Sequence, residues 1–219
     1  MLARRLEPEV MDSPEDADAY DAMDHSAVNS LFVDDLLAVF PAPRDVLDLG
    51  TGNARIPLEL CRRVGTCRVM AADKSRAMLQ LARYLIEIAG LRERVQLDYC
   101  DAKKMLYKNG MFDLVMCNGT LHHFADPAVV LGESWRVTAS GGGVFFRDLL
   151  RPDDEVALES LVTTYAGDAT PHQQQLFRDS LSASLTLDEL RAAVADLGLD
   201  PATVQVTSDR HWTWSALKS

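Results

Sequence analysis

The sequence predicts an α/β fold in three layers, built on a mostly parallel sheet of seven strands that ends in an antiparallel C-terminal hairpin. Three observations predict it. Between residues 45 and 150, apolar runs of strand length alternate five times with helical stretches through short connections. A parallel sheet with helices on both faces and right-handed crossovers produces that pattern. A glycine turn, "VLDLGTGNAR" at 46–55, follows the first run. Two alternating runs, "TVQVTSD" and "HWTWSAL", close the chain across a short polar turn, as a hairpin does.

The elements follow in order. Val28, Leu31, Phe32, Leu36, Val39 and Phe40 recur at helical spacing, and "PAPR" stops that helix. "DVLDLGT" reads as a strand apolar on both faces, as in a buried parallel sheet. Residues 53–64 read as a helix and 67–73 as a second strand. Ser75 suits the cap of the next helix, which ends at Gly90. Residues 94–101 and 111–118 read as strands, with a helix from Pro127 to Val137. "GGGVFFRDLL" (141–150) reads as a fifth strand entered through a glycine turn. Residues 153–182 read as helix broken near "GDATPHQQ". Thr186 and Glu189 have capping-box spacing at the head of a helix that ends at a glycine. Trp212 and Trp214 fall on one face of the last strand, as core or interface residues.

Composition narrows the class. The 219 residues suit one domain, 1–219: an N-terminal helical arm or lid (1–40), a core (44–150), a helical insertion (151–185), and a final helix and hairpin (186–219). No apolar run reaches the roughly 18–20 residues that span a bilayer. The first residues have arginines but no apolar stretch behind them, so no secretory signal is expected. Four cysteines without a C-x-x-C pair suit buried thiols in a reducing cytoplasm. Net charge is −11, and residues 1–40 carry two arginines against ten acids. No basic stripe offsets this, which argues against nucleic-acid partners. The acidic start reads as a solvated face, a mobile arm or a lid.

The glycine turn raises the functional question. Ligands of open parallel sheets bind beyond the carboxyl ends of the strands, and a residue without Cβ lets the backbone approach them. Asp73 ends the second strand, where a carboxylate can take hydrogen bonds from ribose hydroxyls. Asp101, followed by Ala102, ends the third, where an acid can receive an adenine amino group. Asp48 precedes the glycines; it would repel a pyrophosphate and attract an amine or a sulfonium. The dinucleotide fingerprint also needs a third glycine, and Arg55 stands there. Together these point from a dinucleotide toward S-adenosylmethionine.

"VLDLGTGNAR", Asp73, "DYCDA", "FDLVMCNGTLHHF" and "GGGVFFRDLL" stand in an order and spacing that resembles the class I S-adenosylmethionine-dependent methyltransferases. The resemblance spans residues 44–150, and the final hairpin is similar to that family's reversed last strands. It implies a Rossmann-like sandwich and methyl transfer to a small-molecule acceptor, with no metal. It implies Gly50, Thr51 and Gly52 against the methionine part, Asp48 near its amino group, Asp73 and Lys74 at the ribose, and Asp101 with Ala102 at the adenine. Asn118 would lie near the sulfonium. Where the family's loop often has a third glycine, this chain has Ala54. Two other readings remain: a regulatory protein that binds the cofactor without catalysis, and a nicotinamide-dependent oxidoreductase.

Methyl transfer from a sulfonium needs alignment of donor and acceptor, and a base only where the acceptor loses a proton. His122 and His123 follow the fourth strand and suit a base, a substrate contact or local structure. Asp148, between Arg147 and Arg151, suits an ion pair or a substrate anchor. Cys117 reads as a buried strand thiol. Tyr20, His25, Tyr165, His172, Phe177 and Arg178 lie in segments the sheet does not need, and are candidates for contact with the acceptor. Oligomeric state is not legible.

Overall fold

The structure is a computed structural model that describes residues 2–7, 21 and 26–219. The strands form one seven-stranded sheet in the order β3-β2-β1-β4-β5-β7-β6. They are β1 (Asp45–Leu49), β2 (Arg68–Asp73), β3 (Val95–Tyr99), β4 (Phe112–Asn118), β5 (Thr138–Leu149), β6 (Val204–Val206) and β7 (His211–Leu217). The helices are α1 (Ser26–Val39), α2 (Arg55–Arg63), α3 (Arg76–Ile88), α4 (Pro127–Val137), α5 (Glu155–Ala166), α6 (Pro171–Ala183) and α7 (Leu187–Asp196). Short 3-10 turns lie at Leu121–His123 and Pro201–Thr203. By contact density the described residues divide into two compact units.

The larger unit holds residues 21, 26–118, 129–146 and 215–219. Here β1 runs parallel between β2 and β4, with Leu49 opposite Ala72 on one side and Cys117 on the other. The strand order turns back on itself between β1 and β4, and that reversal opens a crevice at the carboxyl ends of the two strands. Apolar side chains of α1, α2 and α3 pack with the sheet: Phe32, Leu36, Leu60, Cys61, Ala82 and Ile86 are buried with Val46, Val69 and Leu114. Phe32 meets Phe145 edge to face at 5.2 Å. Each such side chain contributes up to about 1.5–3 kcal/mol. Ser75 caps α3, its hydroxyl accepting from the Met78 N–H at 3.1 Å, and Gly90 follows the helix at φ +69°.

Three expectations are corrected in this unit. Leu31 and Val39 are 56% and 47% exposed, so the buried stripe of α1 narrows to Phe32, Val33 and Leu36. The second helix starts at Arg55, two residues late, because Gly52 and Ala54 take left-handed backbone at φ +53° and +61°. The glycines of β5 lie inside the strand, which begins at Thr138. They are needed for close packing: a Cβ on Gly142 would meet the Asp113 carbonyl oxygen at 2.4 Å, and one on Gly143 the Phe40 ring at 2.4 Å.

The smaller unit holds residues 2–7, 119–128 and 147–214. Leu158, Val162 and Leu181 of α5 and α6 form its apolar cluster, joined by Leu2, Leu149 and Phe177. The helices have side-chain caps. Asp154 accepts from the Ala157 N–H at 2.8 Å, and Thr170–Gln173 and Thr186–Glu189 both form reciprocal capping boxes. β6 and β7 pair antiparallel, Val204 with Trp214 and Val206 with Trp212, and both tryptophans are buried.

Candidate active site

The larger unit gathers the acids expected to bind a cofactor. The chain leaves β1 through a turn in which residues 50, 52 and 54 have φ of +66°, +53° and +61°. The alternation follows the family's three glycine positions, with Ala54 adopting the backbone a third glycine would have. The turn is fastened to β2: the Gly50 and Thr51 N–H groups donate to the Ala72 carbonyl at 2.9 and 3.1 Å. Asp73 adds to this fastening, accepting from the Gly52 N–H through Oδ2 and from the Ser75 N–H through Oδ1, each at 2.8 Å.

Asp48 is buried at 3% exposure in the penultimate position of β1. Burial raises its pKa to about 7, and the charge of Asp73 adds to the rise. The carboxylate would be stabilised by a cation. Lys74 reaches across to Asp101 at 2.8 Å, and the Lys103 N–H donates to the same carboxylate at 3.0 Å. Burial works against ionisation of Asp101, but these partners outweigh it and hold its pKa below the ordinary value. Ala102 follows at the tip of the third strand, and Asn118 is the last residue of β4.

Two observations test whether these residues fit an adenosyl cofactor. The buried Thr51 hydroxyl faces Asp48, and its hydrogen bond to that carboxylate opposes the rise that burial causes, so the two present a polar wall to a ligand. A Cβ built on Gly52 meets no atom of the described residues within 4 Å, so the described residues leave room beside the turn. With the neighbouring acids, the donor and acceptor set suits a ligand carrying hydroxyls and a positive charge.

One contact was not foreseen. Asp21, from the acidic N-terminal stretch, accepts from Asn53 at 2.8 Å and from Arg55 at 2.6 Å, both beside the glycine turn. Nothing in the sequence separates Asp21 from the acids around it. Tyr20 and His25 lie outside the described residues.

The smaller unit holds a second polar cluster. His122 is buried, and both of its ring nitrogens face carboxylates: Nδ1 is 2.6 Å from Asp148 and Nε2 is 2.9 Å from Glu7. The His122 backbone N–H donates to the other oxygen of Asp148 at 3.0 Å. Burial would lower the pKa of His122, but the two carboxylates reverse this and push it up to about 10. His123 stacks on His122 at 4.3 Å and lies 3.4 Å from Glu7. Asp148 therefore has a histidine partner. The neighbouring arginines turn elsewhere, Arg151 to Glu189 at 2.6 Å and Arg147 to the Thr213 hydroxyl at 3.0 Å. Glu7 is the member of this cluster that sequence reasoning missed, because a contact across more than a hundred residues leaves no local pattern.

The remaining acceptor candidates are scattered across the same unit. Tyr165 donates to Asp209 at 2.5 Å, with the Arg210 guanidinium 3.3 Å from its ring centre. His172 is exposed in the first turn of α6. Phe177 joins the apolar cluster, and Arg178 forms a two-pronged pair with Glu159 at 2.8 and 2.9 Å. Cys117 is buried, as expected.

Comparison with known proteins gives the same picture. The family model described as a methyltransferase domain matches residues 46–142. A demethylmenaquinone methyltransferase of Thermus thermophilus is 38% identical over 106 residues, 48% of this chain and 47% of that protein. Ajmaline N-methyltransferase of Rauvolfia serpentina is 27% identical over 172 residues, 74% of this chain and 58% of that protein. This chain spans about half the length of the curated relatives it matches. A crystal structure from Methanococcus maripaludis, assigned to the S-adenosyl-L-methionine-dependent methyltransferases, has a TM-score of 0.77 and 16% identity. It covers 100% of this chain and 98% of its own, a likeness of fold. The match over residues 46–142 and the sheet order make this part of the chain similar to the class I S-adenosylmethionine-dependent methyltransferases.

Proposed function

We propose that this chain binds S-adenosylmethionine and moves its methyl group to a small-molecule acceptor. One observation carries the reading: a turn with three left-handed residues, fastened to the neighbouring strand tip, beside the carboxylates of Asp48, Asp73 and Asp101. When bound, the cofactor supplies a methyl group on a sulfonium that departs as a neutral thioether. The residues that would hold it are Asp48, Gly50, Thr51 and Gly52 for the methionine part, Asp73 and Lys74 for the ribose, Asp101 and Ala102 for the adenine, and Asn118 near the sulfur. The room that the described residues leave beside Gly52 and the polar wall of Thr51 and Asp48 support this assignment.

Small-molecule acceptors in the relatives' names support the same class of acceptor here. Among the described residues no helix is long and apolar enough to cross a membrane. None of the four cysteines forms a disulfide among the described residues, which supports a reducing, cytoplasmic setting. The acidic charge supports a partner other than nucleic acid.

His122, His123 and Asp148 were the candidate catalytic groups. We read His122 as an imidazolium clamp between two carboxylates, since it has no free nitrogen to accept a proton.

Calorimetry with S-adenosylmethionine and S-adenosylhomocysteine tests cofactor binding, and a radiolabelled methyl-transfer screen over phenols, amines and quinols tests turnover. Binding of both with transfer to one acceptor is the expected result. Binding without transfer to any would favour a regulatory role, and failure to bind either would remove the assignment. Tight binding of NADH instead would support the oxidoreductase reading.

A further inference from the structure

We propose that Glu7, His122 and His123 form a site for one divalent transition cation of the zinc class, a site that the sequence alone does not suggest. Their ligand atoms, one carboxylate oxygen and one nitrogen from each histidine, all lie within 4.8 Å of one another. Nε2 of His122 is 2.9 Å from Oε1 of Glu7, and Nδ1 of His123 is 3.4 Å from the same oxygen. Ligands held about 2.0–2.2 Å from a tetrahedral ion stand about 3.3–3.5 Å apart. The Glu7–His123 spacing already meets this; His122 would withdraw from Glu7 by a few tenths of an ångström, and the two histidine nitrogens, within 4.8 Å of each other, would close to the same spacing.

Adjacent histidines in an extended strand point to opposite sides. Here they lie on the 3-10 turn Leu121–His123, with their rings stacked at 4.3 Å and 30°. The turn puts both rings on one side of the chain, and a rotation of the His123 side chain would bring its Nδ1 lone pair to an ion shared with His122.

The surroundings supply an independent argument. A histidine that binds a metal ordinarily donates its other ring N–H to a carboxylate, which fixes the tautomer and the ring plane. Asp148 provides that partner, 2.6 Å from Nδ1, and is itself held by the His122 backbone N–H at 3.0 Å. The Ser180 hydroxyl lies 3.2 Å from Oε1 of Glu7 and orients that carboxylate. Two imidazoles and one carboxylate favour zinc, cobalt or nickel over magnesium or calcium, which take all-oxygen sets. The ion takes the place of the proton on Nε2 of His122, which leaves to solvent. Its effect is to tie residues 2–7 to the turn that follows β4. This inference uses the smaller unit alone and holds whether or not the chain transfers methyl groups.

The test is metal uptake by the full chain. The protein is stripped with a chelator, titrated with zinc chloride in a calorimeter, dialysed and assayed for bound metal. One equivalent is expected, with binding weakened about tenfold or more in His123→Ala and in Glu7→Gln. Substoichiometric uptake by the wild type, or full uptake by both variants, would overturn the proposal. Should a variant fail to fold by circular dichroism, cobalt bound to the wild-type chain decides. Intense visible bands of a four- or five-coordinate ion support the site, and the pale spectrum of hydrated cobalt refutes it.

Discussion

The carboxylate of Asp73 joins two turns at once, holding the Gly52 N–H with one oxygen and the Ser75 N–H with the other, each at 2.8 Å. The residue assigned to the ribose therefore also shapes the glycine turn. Asp73→Ala removes both charge-assisted bonds and is expected to weaken S-adenosylhomocysteine binding by about 1–3 kcal/mol. It should also lower the urea midpoint, because the turn loses its tie to β2. Isothermal titration and urea unfolding read the two effects separately. A lower midpoint with unchanged affinity would make Asp73 a purely structural staple.

Gly52→Val separates space from backbone. The backbone there is left-handed at φ +53°, which costs a β-branched residue at least about 1–2 kcal/mol. A Cβ at this position meets no atom of the described residues within 4 Å. The variant is thus expected to fold with a modestly reduced melting temperature and to lose cofactor binding, because its side chain enters the open space. Retained affinity in a folded Gly52→Val protein would show that the cofactor lies elsewhere.

Much of this arrangement was legible in the chain before folding, and the parts that were not share a physical cause. Ser75, Gly90 and the Thr186–Glu189 box act within one turn of helix, so their chemistry is local and the helix limits followed. Asp48 and Asp73 stand near the ends of β1 and β2 as the apolar runs implied, whereas Asp101 lies two residues beyond β3, which ends at Tyr99. The misread glycines of β5 answer to Asp113 and Phe40, distant in sequence, and no local pattern carries that information. The Glu7–His122–Asp148 cluster and the Asp21–Arg55 pair fail for the same reason. An ion pair between elements leaves only its two residues, each ordinary alone.

Asp48 predicts a pH dependence of cofactor binding. Its folded pKa, about 7, lies above the ordinary 3.8, so the folded apo form favours the protonated acid. That contribution to stability is full below about pH 4 and is lost as pH rises through 7. A cationic ligand favours the ionised form, so binding should tighten between pH 6 and 8 and release up to one proton. Calorimetry in buffers of different ionisation enthalpy counts that proton. Asp48→Asn should bind more weakly at pH 8 and release fewer protons, any remainder coming from the ligand's own amine. The same proton count in both proteins would exclude Asp48 as its source.

His122 predicts a pH dependence of stability with the same sign as Asp48, over a higher window. Its folded pKa, about 10, lies above the ordinary 6.5, because Asp148 and Glu7 together outweigh the cost of burying a charge. The stabilisation is complete below about pH 6.5 and declines as pH rises toward 10. Replacing His122 with Gln removes the cation hydrogen-bonded to the buried Asp148 and leaves it the charge attraction of Arg4. Breaking a buried pair from one side costs about 3–5 kcal/mol, so the urea midpoint should fall sharply at neutral pH. Glu7→Gln should cost less, since Asp148 still neutralises the imidazolium. With a chelator present to exclude metals, the wild-type midpoint should approach that of His122→Gln as pH climbs from 7 to 10. A constant gap across that range would mean that His122 is held by packing alone, and that its carboxylate partners carry no net attraction.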